Sequence, residues 1–162
     1  MARKKTLIER GKFKSEITTA LYKNENIREM LLGDTTGMSN SEIRTNFKQY
    51  VKSHLFIDDT ITEAKTFIFY DVAIPSLQEQ IKSCRVVMYL ICSRDILENY
   101  FKEGYYGDRI DILSQMVEDT LINDEEVANS FGIGKLKLDS VDIYNANRFY
   151  GCILYFDVPS FR

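Results

Sequence analysis

The residues able to do chemistry are few, and their spacing argues against catalysis. His54 is the only histidine, which excludes a His-based triad or a multi-His metal site within one chain. Beside Leu55 and Phe56 it reads as a structural or surface residue. Cys84, Cys92 and Cys152 lie in apolar, strand-like runs, without C-x-x-C spacing and without a neighbouring base. That setting predicts reduced, inert packing thiols in a cytosolic environment. The carboxylates gather as Asp58-Asp59, as Asp119, Asp124, Glu125 and Glu126, and as Asp139 and Asp142. Such groups serve caps and turns more readily than a two-carboxylate hydrolytic site, which needs acids converging across a cleft. Gly132-Ile-Gly134 is too short for a phosphate loop and precedes a strand rather than a helix. No enzyme activity, cofactor or metal is expected.

The chain has 162 residues, a length that suits one domain with one substantial core. Ten Phe, ten Tyr and only two Pro favour a β-containing fold over a disordered one. The formal net charge of −3 does not suit a molecule that binds polyanions with its whole surface. After Met-Ala-Arg-Lys-Lys there is no apolar run long enough for a signal peptide or membrane span, so a soluble, intracellular product is expected.

The elements follow from periodicity. Residues 14–55 read as helical. Ile17, Ala20, Leu21, Ile27, Met30 and Leu31 recur near a 3.6-residue period that is broken around Lys23–Asn26, so one kinked or split helix ending at Gly33 is predicted. Residues 34–40 form a turn-rich loop, and Ser39 with Glu42 has capping-box spacing. Ile43, Phe47, Tyr50, Val51 and Leu55 then mark a shorter second helix. Residues 66–158 read as a strand–strand–helix–strand–strand core. Thr66–Ile74 and Cys84–Ser93 are strands, the first ended by Pro75. Asp108 caps a helix to Ile122, with Asp111 placing negative charge in its first turn. Lys135–Tyr144 changes phase near Asp139-Ser140, which predicts a β-bulge. Asn145-Ala-Asn147 turns into the last strand, which starts at Arg148. The fold class is α/β in the α+β sense: one domain over residues 1–162, with a mainly antiparallel sheet of about four strands, N-terminal helices and one central helix packed on it.

Every strand is apolar on both faces, more than one small sheet needs for its own core, so a partner is expected to cover the surplus. The candidate subunit interface comprises Tyr70, Val72, Val87, Tyr89 and Ile91, with Tyr150, Leu154 and Phe156 of the last strand. Alternation assigns faces within a strand but not between strands, so the opposite set remains open. The connection Ile96–Tyr106 adds Tyr100, Phe101, Tyr105 and Tyr106, suited either to covering the core edge or to docking. Residues 1–13 read as a basic arm, and Arg3, Lys4, Lys5, Arg10, Lys12 and Lys14 are its candidate partner contacts. Both the arm and the 33–40 loop are expected to be ordered by a neighbouring subunit. Beyond residue 14 only 15 Lys and Arg face 23 Asp and Glu, so acidic protein is a better match for the arm than DNA.

The order of elements, with Gly107-Asp108-Arg109-Ile-Asp-Ile-Leu113 opening the central helix and Asn147-Arg148-Phe-Tyr150 opening the last strand, resembles the bacteriophage tail-terminator and head–tail connector (neck) proteins. The resemblance covers residues 14–158. It implies a non-enzymatic virion protein: a homo-oligomeric ring in the neck or at the tail end, joining head to tail around a DNA channel. The implied partners are other neck, portal or tail-tube proteins, with DNA passing through without sequence-specific binding, and no membrane. A small nucleic-acid-binding module using the basic arm is the alternative.

Overall fold

The computed structural model describes residues 6–57, 60–77, 82–130 and 136–161. Three helices come first: α1 (Thr6–Lys23), α2 (Glu25–Leu32) and α3 (Asn40–Tyr50). The short strand β1 (Val51–Lys52) leads to the long pair β2 (Thr66–Leu77) and β3 (Lys82–Ser93). A 3-10 turn (Arg94–Ile96), α4 (Arg109–Asn123) and α5 (Glu125–Ser130) follow, and β4 (Lys137–Ala146) and β5 (Phe149–Phe161) close the chain. The sheet order is β1-β2-β3-β5-β4, with only the β1–β2 pair parallel. The fold is therefore α+β with a mostly antiparallel sheet, as the sequence predicts.

The predicted split in the first helical region falls at Asn24. Its side-chain oxygen accepts from the Ile27 amide at 3.1 Å, capping α2, while its amide nitrogen donates to Thr120 at 2.7 Å. One residue thus ends α1, starts α2 and ties both to α4. The Ser39–Glu42 capping box is formed, and α4 carries a second one between Asp108 and Asp111. The bulge near Asp139 is present, because the β4–β5 register slips between Leu138 and Ser140.

Several expectations change. The basic arm does not extend to residue 13: α1 begins at Thr6, and Phe13 starts the buried stripe that Ile17, Ala20 and Leu21 continue. Burial of Phe13 repays the ordering of the turns before it. Tyr50 ends α3, and Val51 belongs to a strand, a two-residue element too short to carry any periodicity. Leu55 is exposed rather than on a buried helical stripe. Pro75 does not end β2, which runs on to Leu77 through a register shift between Ala73 and Ser76. The proline is tolerated because β1 covers only Ile68 and Phe69, leaving that stretch of β2 an edge. Helix α5 adds a turn and a half that the acidic, weakly periodic sequence did not announce. The final hairpin turn is Asn147-Arg148, with Asn147 at φ 51°, a conformation Asn accepts more readily than most residues.

The helices share one core with one face of the sheet, to which Phe47 of α3 and Val127 of α5 also contribute. Ile68, Tyr70, Val72, Val86, Met88, Leu90, Leu154 and Phe156 point into the helices and are buried against α1, α2 and α4. Tyr70 donates its hydroxyl to the Lys14 carbonyl at 2.6 Å and meets the Thr18 hydroxyl, so even its polar end is satisfied. Burial pushes that hydroxyl's pKa up to about 12.

Arg10 and Lys14 are structural. The Arg10 guanidinium donates to the Val72 carbonyl and the Asp71 carboxylate, both at 2.7 Å. Lys14 reaches the same carboxylate at 2.7 Å and the Ser53 carbonyl at 2.8 Å. The two cations close the β2 edge where β1 stops. Burial pulls the Asp71 pKa upward, but hydrogen bonds from Lys14 and the Val72 amide, with the two positive charges, hold it below its ordinary 3.8. Asp71→Asn should cost about 1–2 kcal/mol at neutral pH, the range of a half-exposed charge-assisted pair. Because the folded pKa is depressed, the difference from wild type should be full above pH 3.8 and close as pH falls through the lower folded value. Thermal melts of both proteins across that range test this, and a difference that persists at the acid end would contradict it.

Candidate functional site: the uncovered sheet face

Strand register decides what the sequence left open. Asp71 pairs with Val87 and Val87 with Tyr155, while Phe69 pairs with Tyr89 and Tyr89 with Ile153. These residues share the face away from the helices. The proposed interface set does not lie on one face: Tyr70, Val72, Tyr150, Leu154 and Phe156 point to the helices, whereas Val87, Tyr89 and Ile91 point away. In the first group Tyr70, Val72, Leu154 and Phe156 are buried inside the chain and offer little surface to another subunit, while Tyr150 is partly buried. The sequence did contain a cue. Asp71, Arg85 and Asp157 alternate in phase with the outward set, and a charge on one strand face marks the side that meets water.

The uncovered face has two parts. At one end Phe67 stacks on Phe69 with centroids 5.4 Å apart and meets Phe149 edge-on at 6.3 Å, and Ile91 completes a buried cluster. Tyr50, at the end of α3, and Ile61 pack against it. Toward the other end no helix among the described residues arrives. Val87, Tyr89, Ile153, Tyr155 and Tyr144 remain half-buried across three strands, with Tyr89 and Tyr144 in edge contact at 5.7 Å. Arg85 bounds this patch, held by Asp157 at 3.0 Å and Asp139 at 3.6 Å. An aromatic centre with a charged rim is the anatomy of a protein-binding surface. The outer strand β4 is an unpaired edge, and it exposes Val141 and Ile143 on its helix side, beyond the reach of α4.

The 96–106 connection divides. Tyr100 and Tyr105 pack against the core, while Phe101 and Tyr106 are each more than four-fifths exposed. Arg109 organises the segment: its guanidinium lies 4.8 Å above the Tyr100 ring and donates to the Ile96 carbonyl at 2.9 Å and to Asn99 at 3.1 Å. The other proposed contacts are scattered. Lys12 is exposed on α1, Arg10 and Lys14 seal the β2 edge, and Arg3, Lys4 and Lys5 lie outside the described residues. His54 is exposed beside Phe56. Asp58, Asp59 and the Gly132–Gly134 stretch also lie outside the described residues. Asp124 accepts the Val127 amide at 2.9 Å, a capping role of the expected kind.

Burial raises the thiols of Cys84 and Cys92 to about 12 and also raises Cys152, so all three are held as thiols rather than nucleophilic thiolates. Among the described residues no three His, Cys, Asp or Glu side chains gather to hold a metal, and no helix is long and apolar enough to cross a membrane.

The architecture defines an α+β protein that layers its helices on one sheet face and leaves aromatic surface on the other. The chain belongs to the YomW family, which matches it over residues 15–158. That family derives from Bacillus phage, so the protein is phage-related. No curated protein and no solved structure matches it significantly.

Proposed function

We propose that this phage-related chain is a non-enzymatic structural subunit of the virion, forming a ring in the neck or at the tail end as a tail terminator or head–tail connector. The observation that carries the reading is the half-exposed aromatic patch around Tyr89, Ile153 and Tyr155, which a lone subunit leaves wet. A neighbouring protein that covers it gains the apolar area without reorganising the sheet, since register and rotamers are already set. The unpaired β4 edge with its exposed Val141 and Ile143 supports the same reading. The alternative, nucleic-acid binding through the N-terminal arm, is weakened because Arg10 and Lys14 are committed to Asp71.

Light scattering on the purified protein, alone and after addition of tail tubes or portal particles, tests the proposal. The expected mass is a multiple of 18.9 kDa or a complex retained on the particles, with Tyr89→Asp reducing it. A single-chain mass at every concentration together with no retention on either particle would overturn it.

A further inference from the structure

One surface plays no part in the sheet-face reading. α3 packs beside α1, where Phe47 meets Tyr22 edge-on at 5.2 Å, and the furrow between the helices continues past β1. It holds two hollows of about 230 and 470 Å³, and a third of about 510 Å³ lies against α3 alone, all three lined by Lys48. Arg44 and Lys48, one helical turn apart, run along one side with Lys52 beyond them, and hydroxyl side chains such as Ser15 and Thr18 line the other. Among the described residues no carboxylate lines any of the three hollows. Among the described residues Arg44, Lys48 and Lys52 form no salt bridge, although seven other cations do. Arg44 is steadied over the Tyr22 ring at 5.4 Å. In a chain of net charge −3, this is a local positive furrow with no carboxylate among the described residues that line it.

The opposite flank of α1 has the opposite sign. There α5 and the end of α4 pack on α1, through Asn24 to Thr120 and Lys23 to Glu126. Asp119 and Glu125 are exposed on that side, with Glu118 half-buried and Lys23 the nearby cation. The helical layer is therefore basic at its α3 side and acidic at its α4–α5 side.

We propose that the α1–α3 furrow receives the acidic α4–α5 flank of a second copy of this chain, making the lateral contact of the assembly. The inference rests on the ring reading above. Two different, complementary patches on opposite flanks make a head-to-tail contact, the type that propagates and closes into a ring when the rotation allows. The charges set register and partner choice, and being near the surface they make association salt-sensitive. A phosphate backbone would meet suitable donors in the furrow as well. A copy of the chain is the better fit, because the same molecule carries the complementary flank while its net charge repels a polyanion.

The test measures mass by light scattering at low salt and at about 1 M salt, where screening falls to about 3 Å. The proteins are wild type, Arg44→Glu/Lys48→Glu, Asp119→Lys/Glu125→Lys, and an equimolar mixture of the two variants. Thermal melts confirm that each variant is folded, and a labelled oligonucleotide is titrated in parallel. Wild type should lose mass in high salt, and each variant should run as a single 18.9 kDa chain even in low salt. The mixture should regain at least a twofold mass, because each variant presents the charge the other now needs. Variants that retain the wild-type mass place the lateral contact elsewhere and leave the ring reading standing. A mixture that stays monomeric shows the losses were not a paired contact and overturns the proposal. Wild type that is a single chain at every concentration overturns the proposal, and it sinks the ring reading as well only if tail tubes and portal particles also fail to retain it. If Arg44→Glu/Lys48→Glu keeps its mass but no longer binds the oligonucleotide, the furrow is a nucleic-acid site instead.

Discussion

Replacing Gly151 by alanine is expected to destabilise the protein by about 3 kcal/mol or more, enough to leave a small domain largely unfolded at 37 °C. Gly151 sits in β5 between two paired neighbours, opposite Ile91 of β3 and Tyr144 of β4. A Cβ at this position would penetrate the Leu90 carbonyl oxygen and approach the Leu90 carbonyl carbon and Ile91 Cα to 2.8 Å each. The obstacles are backbone atoms of the adjoining strand, so no rotamer change relieves the clash. β3 and β5 would have to separate, breaking ladder bonds at the middle of the sheet. Urea denaturation of Gly151→Ala measures the cost. A loss below about 1 kcal/mol, typical of an exposed strand glycine, would show that the strands approach less closely than described.

The second large effect distinguishes the two sheet faces at adjacent positions. Phe156 is wholly buried under the helices, and Phe156→Ala should cost about 3–5 kcal/mol through lost transfer energy and the cavity left behind. Tyr155, one residue earlier, points to the uncovered face and is only half-buried, with Arg85 5.8 Å from its ring. Tyr155→Ala should cost the isolated chain about 1 kcal/mol or less while weakening any assembly that uses that face. Denaturation of the two variants, followed by their mass in solution, separates stability from association. Equal destabilisation by the two substitutions would show that the outer face is as thoroughly covered as the inner one.

Much of the architecture was legible because it depends on local periodicity and end chemistry. The Asn24 break, the Ser39–Glu42 box, the Asp108 cap and the Asp139 bulge are written in residues close enough in sequence to recognise one another. Such features form from groups within four residues, so a pattern three or four residues wide contains them. The two-residue β1 and the short α5 were not legible, since neither is long enough to repeat a pattern.

Sequence alone determined the types and order of the longer elements, with strands apolar on both faces and a chain poor in chemical groups. Tertiary structure decided which surface is surplus. Alternation assigns two faces to every strand, but the relative phase of two strands is a property of their pairing, and a shift of one residue exchanges the faces. Tyr70 and Tyr89 therefore look alike in sequence, yet one lies buried against α1 and the other faces outward. The same holds for the first basic residues. Arg10 and Lys14 read as a solvated arm because Asp71, which binds both, is some sixty positions away, and only folding brings that carboxylate to the strand edge they close.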